Sequence, residues 1–445
     1  MKIIIIGGDA AGMSAASQIK RQKNEYEVIV FERGDYISYA ACGIPYFIGG
    51  AVSHMEELVE VTPEEAREKR KVDLRLGHNV VAIDPAARTV TVVSDGRRFD
   101  ESFDRLLIAT GARPQTMGIQ AGEFPNVFTM NDLYDAARIT KLIKEHKPRS
   151  IAVIGGGYIG LEAVESFCEQ RIETTLVHRR EDLHRAFEKE ISDIIKKKLI
   201  EKGVILRLGQ SFSGLERRGD KIGIVRDSDV IEADAVLLAI GVAPNSELAE
   251  AAGITLGASR AIRVNEFMQT NIETIYAAGD CATSAMVNFG LEVHAPLALK
   301  ANKQGMLAGM HIAGEKEPFA GVMNASITKV FDLGVARTGL SYAQADEMGL
   351  EPEKVMVTSR DRARYYPGSS PITSLVIVSR KDRRVVGAQL AGNPESVKRI
   401  DVYTTAIYNN MTIDQIFNLD LAYAPPFSPV YDPVLLAARV ARKKI

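Results

Sequence analysis

Near the N-terminus the apolar positions fall in two short unbroken runs, Ile3-Ile4-Ile5-Ile6 and Val28-Ile29-Val30-Phe31, which predict two strands. Between them stand Gly7-Gly8-Asp9-Ala10-Ala11-Gly12 and an Ala-rich stretch reaching about Lys23, which predict a tight turn and a helix. The second strand, Glu27–Phe31, is closed by Glu32, so the whole stretch reads as a βαβ start. An Ile/Val strand, a glycine cluster and an Ala-rich helix recur at residues 150–170. Two nucleotide-binding units are therefore expected.

Alternating apolar runs at Val80–Asp84, Thr89–Val93 and Arg105–Ala109, separated by Pro85 and by Asp95-Gly96, predict an antiparallel meander inserted in the first unit. The second unit closes near Leu237-Leu238-Ala239-Ile240-Gly241, ahead of Pro244. Ile275-Tyr276-Ala277-Ala278-Gly279-Asp280 then predicts a short strand that returns the chain to the first unit. From about Gly321 the pattern is mixed and has no glycine fingerprint, which predicts a third domain. The boundaries are 1–113 for the first part of the first unit, 114–149 for a connector with further first-unit chain, 150–243 for the second unit, 244–320 for the return and 321–445 for the third domain. The fold class is α/β, with two Rossmann-like domains and a C-terminal α+β domain.

Composition narrows the function classes. With 46% hydrophobic and 25% charged residues in 445, the chain is globular rather than disordered or collagenous. Lys and Arg number 55 against 57 Asp and Glu, a formal charge of -2, so no global field draws nucleic acid or an anionic membrane. The three cysteines, Cys42, Cys168 and Cys281, are too few for a disulfide framework and suit a reducing compartment. No apolar run approaches the ~20 residues that span a bilayer, and the initial run is shorter than a signal-peptide core. A soluble, cytoplasmic protein is expected, with no nucleic-acid or membrane partner.

The glycine clusters carry the clearest chemistry. Gly155-Gly156-Gly157-Tyr158-Ile159-Gly160 satisfies G-x-G-x-x-G between strand Ile151–Ile154 and a helix over Leu161–Gln170, a setting that places a pyrophosphate on a helix N-terminus. The first cluster departs from the pattern at Asp9, but Glu32 ends the next strand, where a carboxylate accepts ribose hydroxyls. The matching end of the second unit is His178-Arg179-Arg180. With no carboxylate there, two arginines either pair with a 2′-phosphate or sit in a solvated loop. The first reading favours NADPH, with NADH as the alternative. Cys42, in Ser38-Tyr39-Ala40-Ala41-Cys42-Gly43-Ile44-Pro45, stands where a helix is expected to start, which lowers a thiol pKa. It is either a nucleophile or a buried inert thiol. Cys168 and Cys281 read as core residues, the Lys196-Lys197-Lys198 run as a solvated helix face, and no Cys/His cluster has metal-ligand spacing.

These units, Cys42, Ile108-Ala109-Thr110-Gly111 and Ile275–Asp280 together resemble the flavin-dependent pyridine nucleotide-disulfide oxidoreductases. The resemblance implies a glutathione reductase-like fold in the order FAD domain, NAD(P)H domain, return to the FAD domain, and dimerisation domain. It places FAD on Gly7, Gly8, Ala11, Gly12, Glu32, Arg33, Thr110, Gly111 and Asp280, the last near the ribityl chain. It places NAD(P)H on Gly155, Gly157, Tyr158, Ile159, Gly160, His178, Arg179, Arg180 and Gly241.

Family members that use two redox cysteines carry the second five residues after the first, where this chain has Phe47, so an internal disulfide is excluded. The single-cysteine branch remains, comprising NADH peroxidase, NADH oxidase and coenzyme A disulfide reductase. Peroxidases and oxidases place a histidine at the position of Ala10, whereas Ala422-Tyr423-Ala424-Pro425-Pro426 and Tyr365-Tyr366-Pro367-Gly368 match coenzyme A disulfide reductases. That resemblance implies a homodimer in which Tyr423 and Tyr365 of a partner subunit approach Cys42. It implies substrate contacts at Ser14, Gln18, Arg21, Ser38, Arg70 and Asn302. Lys71 is an alternative to Arg70, and Ala41 replaces a family asparagine. No rhodanese module is expected after residue 445. The expected reaction is NADPH-dependent reduction of coenzyme A disulfide through a Cys42–coenzyme A mixed disulfide. Polysulfide or coenzyme A persulfide reduction, oxidase or peroxidase activity and a redox-sensing role are its alternatives.

Overall fold

The computed structural model describes residues 1–119, 122–226 and 229–445. Its first sheet is parallel and built on β1 (Lys2–Ile6), with β2 (Glu27–Phe31) and β3 (Asp73–Arg75) to one side. To the other side lie Arg105–Ile108 and then Ile275–Ala277. Both faces of a parallel sheet are covered, which is why these strands are continuous apolar runs. Ile3 and Ile5 face α1 (Ala10–Gln22) and the helix Ala298–Ile312, while Ile4 and Ile6 face Val80, Ile83, Val90 and Val92. The two helices approach so closely that a Cβ on Gly305 would lie 2.1 Å from the Ala11 carbonyl oxygen.

The second sheet is also parallel, in the order Ile205–Arg207, Glu173–Val177, Ser150–Ile154, Ala235–Leu238, Val127–Phe128. The third domain is a five-stranded antiparallel sheet, Ser326–Val330, Leu333–Gly339, Val385–Gly392, Pro371–Ser379 and Pro352–Arg360. Helices Ile400–Tyr408 and Pro433–Lys444 bury their apolar sides against it.

Four expectations are corrected. Arg105–Ile108 is not a meander strand; it pairs in parallel with β1, and the meander's third strand is Arg97–Ser102. That strand has Phe99 as its one apolar residue, hence the missed signal, although Asp95-Gly96 makes its hairpin turn with φ of 49° and 73°. Part of the 114–149 connector belongs to the second unit. Val127–Phe128 completes its sheet, and the helix Leu133–His146 packs Leu133, Ala136 and Ile139 into its core. The helix after the second glycine loop begins at Tyr158, not Leu161. Of the lysine run, Lys196 and Lys198 are ion-paired with Asp182, Asp193, Glu201 and Asp332, leaving Lys197 as the exposed member. Among the described residues no helix is long and apolar enough to cross a membrane.

Candidate active site

The first glycine loop leaves β1 at Gly7, whose φ of 106° no larger residue holds comfortably and whose N–H donates to Phe31 O at 2.9 Å. A Cβ on Gly12 would meet Gly7 O at 1.9 Å, so the turn and α1 are pressed together. Glu32 turns back onto this loop, accepting the N–H groups of Gly8 and Gly34, each at 2.8 Å. Arg33 beyond it is exposed. The second loop repeats the device with another residue. His178 Nδ1 accepts the Gly156 N–H at 3.1 Å, as Glu32 accepts that of Gly8. Burial and the neighbouring Arg179 and Arg180 hold His178 below the ordinary imidazole range, which keeps Nδ1 an acceptor at neutral pH.

Gly155 (φ 118°) donates to Val177 O, and Gly157 precedes the helix Tyr158–Glu169. The Tyr158 hydroxyl bonds Ser326 of the third domain while its ring lies over His184, centroids 3.9 Å apart. Burial beside Arg337 takes His184 down to about 4. Ile159 is partly exposed, and Gly160 is buried against Gly155 O. Gly241 (φ 117°) accepts the Gln115 N–H. Arg179 and Arg180 are exposed and ion-pair with no acid among the described residues.

Thr110 and Gly111 are clamped to Asn245, the Thr110 hydroxyl donating to Asn245 O at 2.6 Å and Asn245 N–H donating to Gly111 O. Asp280 follows Gly279, and its Oδ1 is buried without a hydrogen-bond partner. Burial raises this carboxyl, against the opposing charge of Lys300 and His294. A buried acceptor left open beside a glycine loop fits a hydroxyl-rich ligand such as the ribityl chain of FAD. The donor set of the first unit therefore fits the cofactor.

Cys42 is exposed, in a 3-10 turn (Ala41–Gly43) leading into α2 (Ile44–Gly49). Its loop is tied to the first glycine loop: Ser38 N–H donates to Gly8 O at 3.1 Å and Tyr39 N–H to Asp9 Oδ1 at 3.2 Å. α2 is in turn held by the second unit, since Ser166 Oγ donates to Pro45 O at 2.7 Å and Gln170 Nε2 to Ile48 O at 3.0 Å. The expected low thiol pKa is corrected. Burial on the protein side and the charges of Glu162, Asp280 and Asp9 push the Cys42 thiol up, and its own backbone N–H opposes them only weakly. The turn precedes a six-residue helix of under two turns, too short to offset three carboxylates.

Sequence reasoning missed two of those acids as site residues. Asp9 heads α1 without capping it, and burial raises its carboxyl to about 6. Glu162 accepts the Thr328 hydroxyl at 2.7 Å and is raised by burial. Its place one turn into the helix after the second glycine loop was the available signal.

α1 and the helix Ala298–Ile312 also form a cleft of about 280 Å³, lined by Ser14, Ser17, Gln18, Arg21, Arg70, Asn302, Lys303 and Met306. Within it Ser14 Oγ donates to Asn302 Oδ1 at 2.8 Å, Arg21 to Gln18 Oε1 at 3.1 Å and Arg70 to Ser17 Oγ at 2.9 Å. Of its three cations only Arg70 is ion-paired among the described residues, to Glu65 at 3.5 Å. Five of the seven expected substrate residues meet here. Ser38 lies instead in the Cys42 loop with φ 42°, and Lys71 is exposed outside the cleft. Tyr365 and Tyr423 lie within hydrogen-bond reach of one another on the third domain, 77% and 48% exposed.

Comparison with known proteins agrees with this architecture. Residues 1–305 match the pyridine nucleotide-disulphide oxidoreductase family and residues 325–433 its dimerisation domain. The chain is 40% identical over 441 residues to a protein of Pyrococcus abyssi named NAD(P)H sulfur oxidoreductase (CoA-dependent), covering 99% of this chain and 98% of that one. It is 30% identical over 446 residues to the coenzyme A disulfide reductase of Staphylococcus haemolyticus, covering 99% of each. The solved NAD-dependent persulfide reductase of A. fulgidus superposes with a TM-score of 0.96 at 39% identity, covering 100% of this chain and 83% of that one. Two glycine loops on two parallel sheets, a cysteine between them and a matching third domain all lead to one family: this chain is a pyridine nucleotide-disulphide oxidoreductase.

Proposed function

We propose that the chain is an NAD(P)H-dependent flavoenzyme that reduces coenzyme A disulfide through Cys42. The observation that carries this reading is the cationic cleft, where α1 and the helix Ala298–Ile312 gather Arg21, Arg70 and Lys303 with hydroxyl and amide groups suited to the phosphates of coenzyme A. The names of the relatives in Pyrococcus and Staphylococcus support the same ligand.

Cys42 thiolate attacks one sulfur of the disulfide, forming a Cys42–coenzyme A bond and breaking the substrate S–S bond, with one coenzyme A thiolate leaving. Tyr423 or Tyr365 of a partner subunit donates a proton to that thiolate. Cys42 would be regenerated and the second coenzyme A released as a thiolate by a two-electron reduction of their mixed disulfide, the chemistry that FAD, when bound, would supply with electrons from NAD(P)H. Glu32, Asp280 and the first glycine loop would hold FAD. The second loop holds NAD(P)H, and Arg179 and Arg180 favour the 2′-phosphate of NADPH. The exposed tyrosines and the dimerisation-domain match support a homodimer, which sedimentation velocity tests directly.

A second reading, reduction of coenzyme A persulfide or polysulfide, is favoured by one observation: relatives at 39–40% identity are named for sulfur and persulfide rather than for the disulfide. Steady-state NAD(P)H oxidation with coenzyme A disulfide, coenzyme A persulfide and polysulfide separates the two. Mass spectrometry under non-reducing conditions is expected to find a coenzyme A adduct on Cys42. Turnover with polysulfide alone, in the absence of any coenzyme A, would overturn the proposal.

A further inference from the structure

The helix Ala298–Ile312 turns Ala301, Ala308 and Ile312 into the apolar core of the first domain, yet its third residue is Lys300, only 3% exposed. A buried ammonium is costly unless something answers its charge. No carboxylate among the described residues lies within ion-pair distance of it. Lys300 Nζ instead donates to Gly279 O at 2.9 Å and Ala282 O at 3.1 Å, the carbonyls on either side of Asp280.

One turn along, the fully buried Gln304 finishes the wrapping of the same segment. Gly279 N–H donates to its Oε1 at 3.0 Å, and its Nε2 donates to Thr283 O at 2.9 Å and Ser284 Oγ at 3.1 Å. An uncharged amide thus suffices to hold carbonyls in this place. Binding the turn does not by itself explain a charge at residue 300.

The charge has a counterpart across the turn. Burial lowers the Lys300 pKa and raises that of Asp280, and the charge of each on the other, without a direct hydrogen bond, works against both shifts; the Asp280 Oδ1 is the buried, open acceptor of the flavin site. Asp9 and Glu32 add negative charge to the same site. Asp280 also lies within electrostatic reach of Cys42, so Lys300 stands at the end of the FAD site where the sulfur chemistry takes place.

We propose that Lys300 is a positioning residue whose buried positive charge offsets the Asp280 carboxylate and raises the reduction potential of the bound flavin. The inference rests on the flavin reading given above. Two-electron reduction leaves the flavin more negative, and in a low-dielectric site a fixed cation favours the more negative form.

The test uses the FAD-loaded protein equilibrated with a redox dye of known potential. Lys300→Met and Lys300→Gln are expected to lower the reduced-to-oxidised flavin ratio, at a fixed dye ratio, by about tenfold or more. Lys300→Arg, which keeps the charge, is expected to stay within about threefold of the parent. An unchanged ratio in both neutral variants overturns the inference, as does a normal ratio in Lys300→Gln with a lowered one in Lys300→Met, which would make the residue a hydrogen-bond donor only.

Should the neutral variants lose FAD, its dissociation constant is measured in Lys300→Met with and without Asp280→Asn. Binding recovered in the double variant supports charge compensation, and no recovery overturns it. Failure of the flavin reading itself is separate: the parent protein would then show no bound FAD absorbance.

Discussion

Replacing Arg70 with Ala tests whether the cleft beside α1 binds the phosphate end of the substrate. Arg70 is already oriented, with one guanidinium nitrogen 2.9 Å from Ser17 Oγ and another 3.5 Å from Glu65, so little ordering is needed when a phosphate arrives. A charge-assisted hydrogen bond contributes about 1.5–3 kcal/mol when shielded from water. The side chain is 32% exposed, and solvent together with Glu65 screens the contact, so about 1 kcal/mol is the better figure. That is roughly a fivefold rise in KM for coenzyme A disulfide, with kcat nearly unchanged because the contact is to a phosphate and is the same in ground and transition states. Arg21→Ala is expected to act similarly, and the double variant to lose about 20–30-fold if the two contacts are independent. The assay is steady-state NADPH oxidation at several ionic strengths, with a small phosphate-free disulfide alongside. The parent KM should climb with salt, and the double variant should respond less. An equal loss for the phosphate-free disulfide, or an unchanged KM for the coenzyme A substrate, would refute the placement of the phosphates in this cleft.

Cys42→Ser is expected to retain FAD and its reduction by NADPH in stopped flow while disulfide turnover nearly vanishes, since a serine hydroxyl forms no mixed disulfide; persistent turnover would show that another group attacks. Replacing Arg179 and Arg180 together by Ala should raise KM for NADPH more than for NADH, and equal effects would place the 2′-phosphate elsewhere. In the flavin-free protein Cys42 should be alkylated slowly at neutral pH and faster only as pH rises past the ordinary thiol range, because burial and three acids favour the protonated thiol. Glu162→Gln keeps an acceptor for Thr328 but removes one of those charges, so its alkylation profile should move to lower pH; an unmoved profile would show that Glu162 does not act on the thiol.

Much of this arrangement was legible in the chain itself because the informative signals are local. A strand, a glycine turn and a helix lie within a few tens of residues, so both nucleotide units and the strand at Ile275–Ala277 could be read in order. Pairings that depend on distant partners were not legible. Arg97–Ser102 has a single apolar residue, Phe99, and becomes a strand by pairing with Thr89–Ser94, while Val127–Phe128 is two residues long and is identified by its neighbour Ala235–Leu238. The cleft joins α1 to residues nearly three hundred positions later, so Ser17, Lys303 and Met306 carried no signal of their own. The thiol pKa was misjudged for the same reason. A helix start is visible in sequence, but Glu162 and Asp280, brought to Cys42 from two other segments, are not.

The tether between the Cys42 loop and the first glycine loop would, on the proposed reading, make the nucleophile a reporter of the dinucleotide site. Two hydrogen bonds, from Ser38 to Gly8 and from Tyr39 to Asp9, join the backbone that would cradle a pyrophosphate to the segment that presents the sulfur. Whatever tightens that cradle also fixes the angle at which the thiol meets its target, and whatever slackens it leaves the thiol poorly aimed. On the proposed reading, a chain without its dinucleotides is expected to exchange thiols with passing disulfides more slowly than the loaded one, so that sulfur chemistry would wait on the loading of the electron supply.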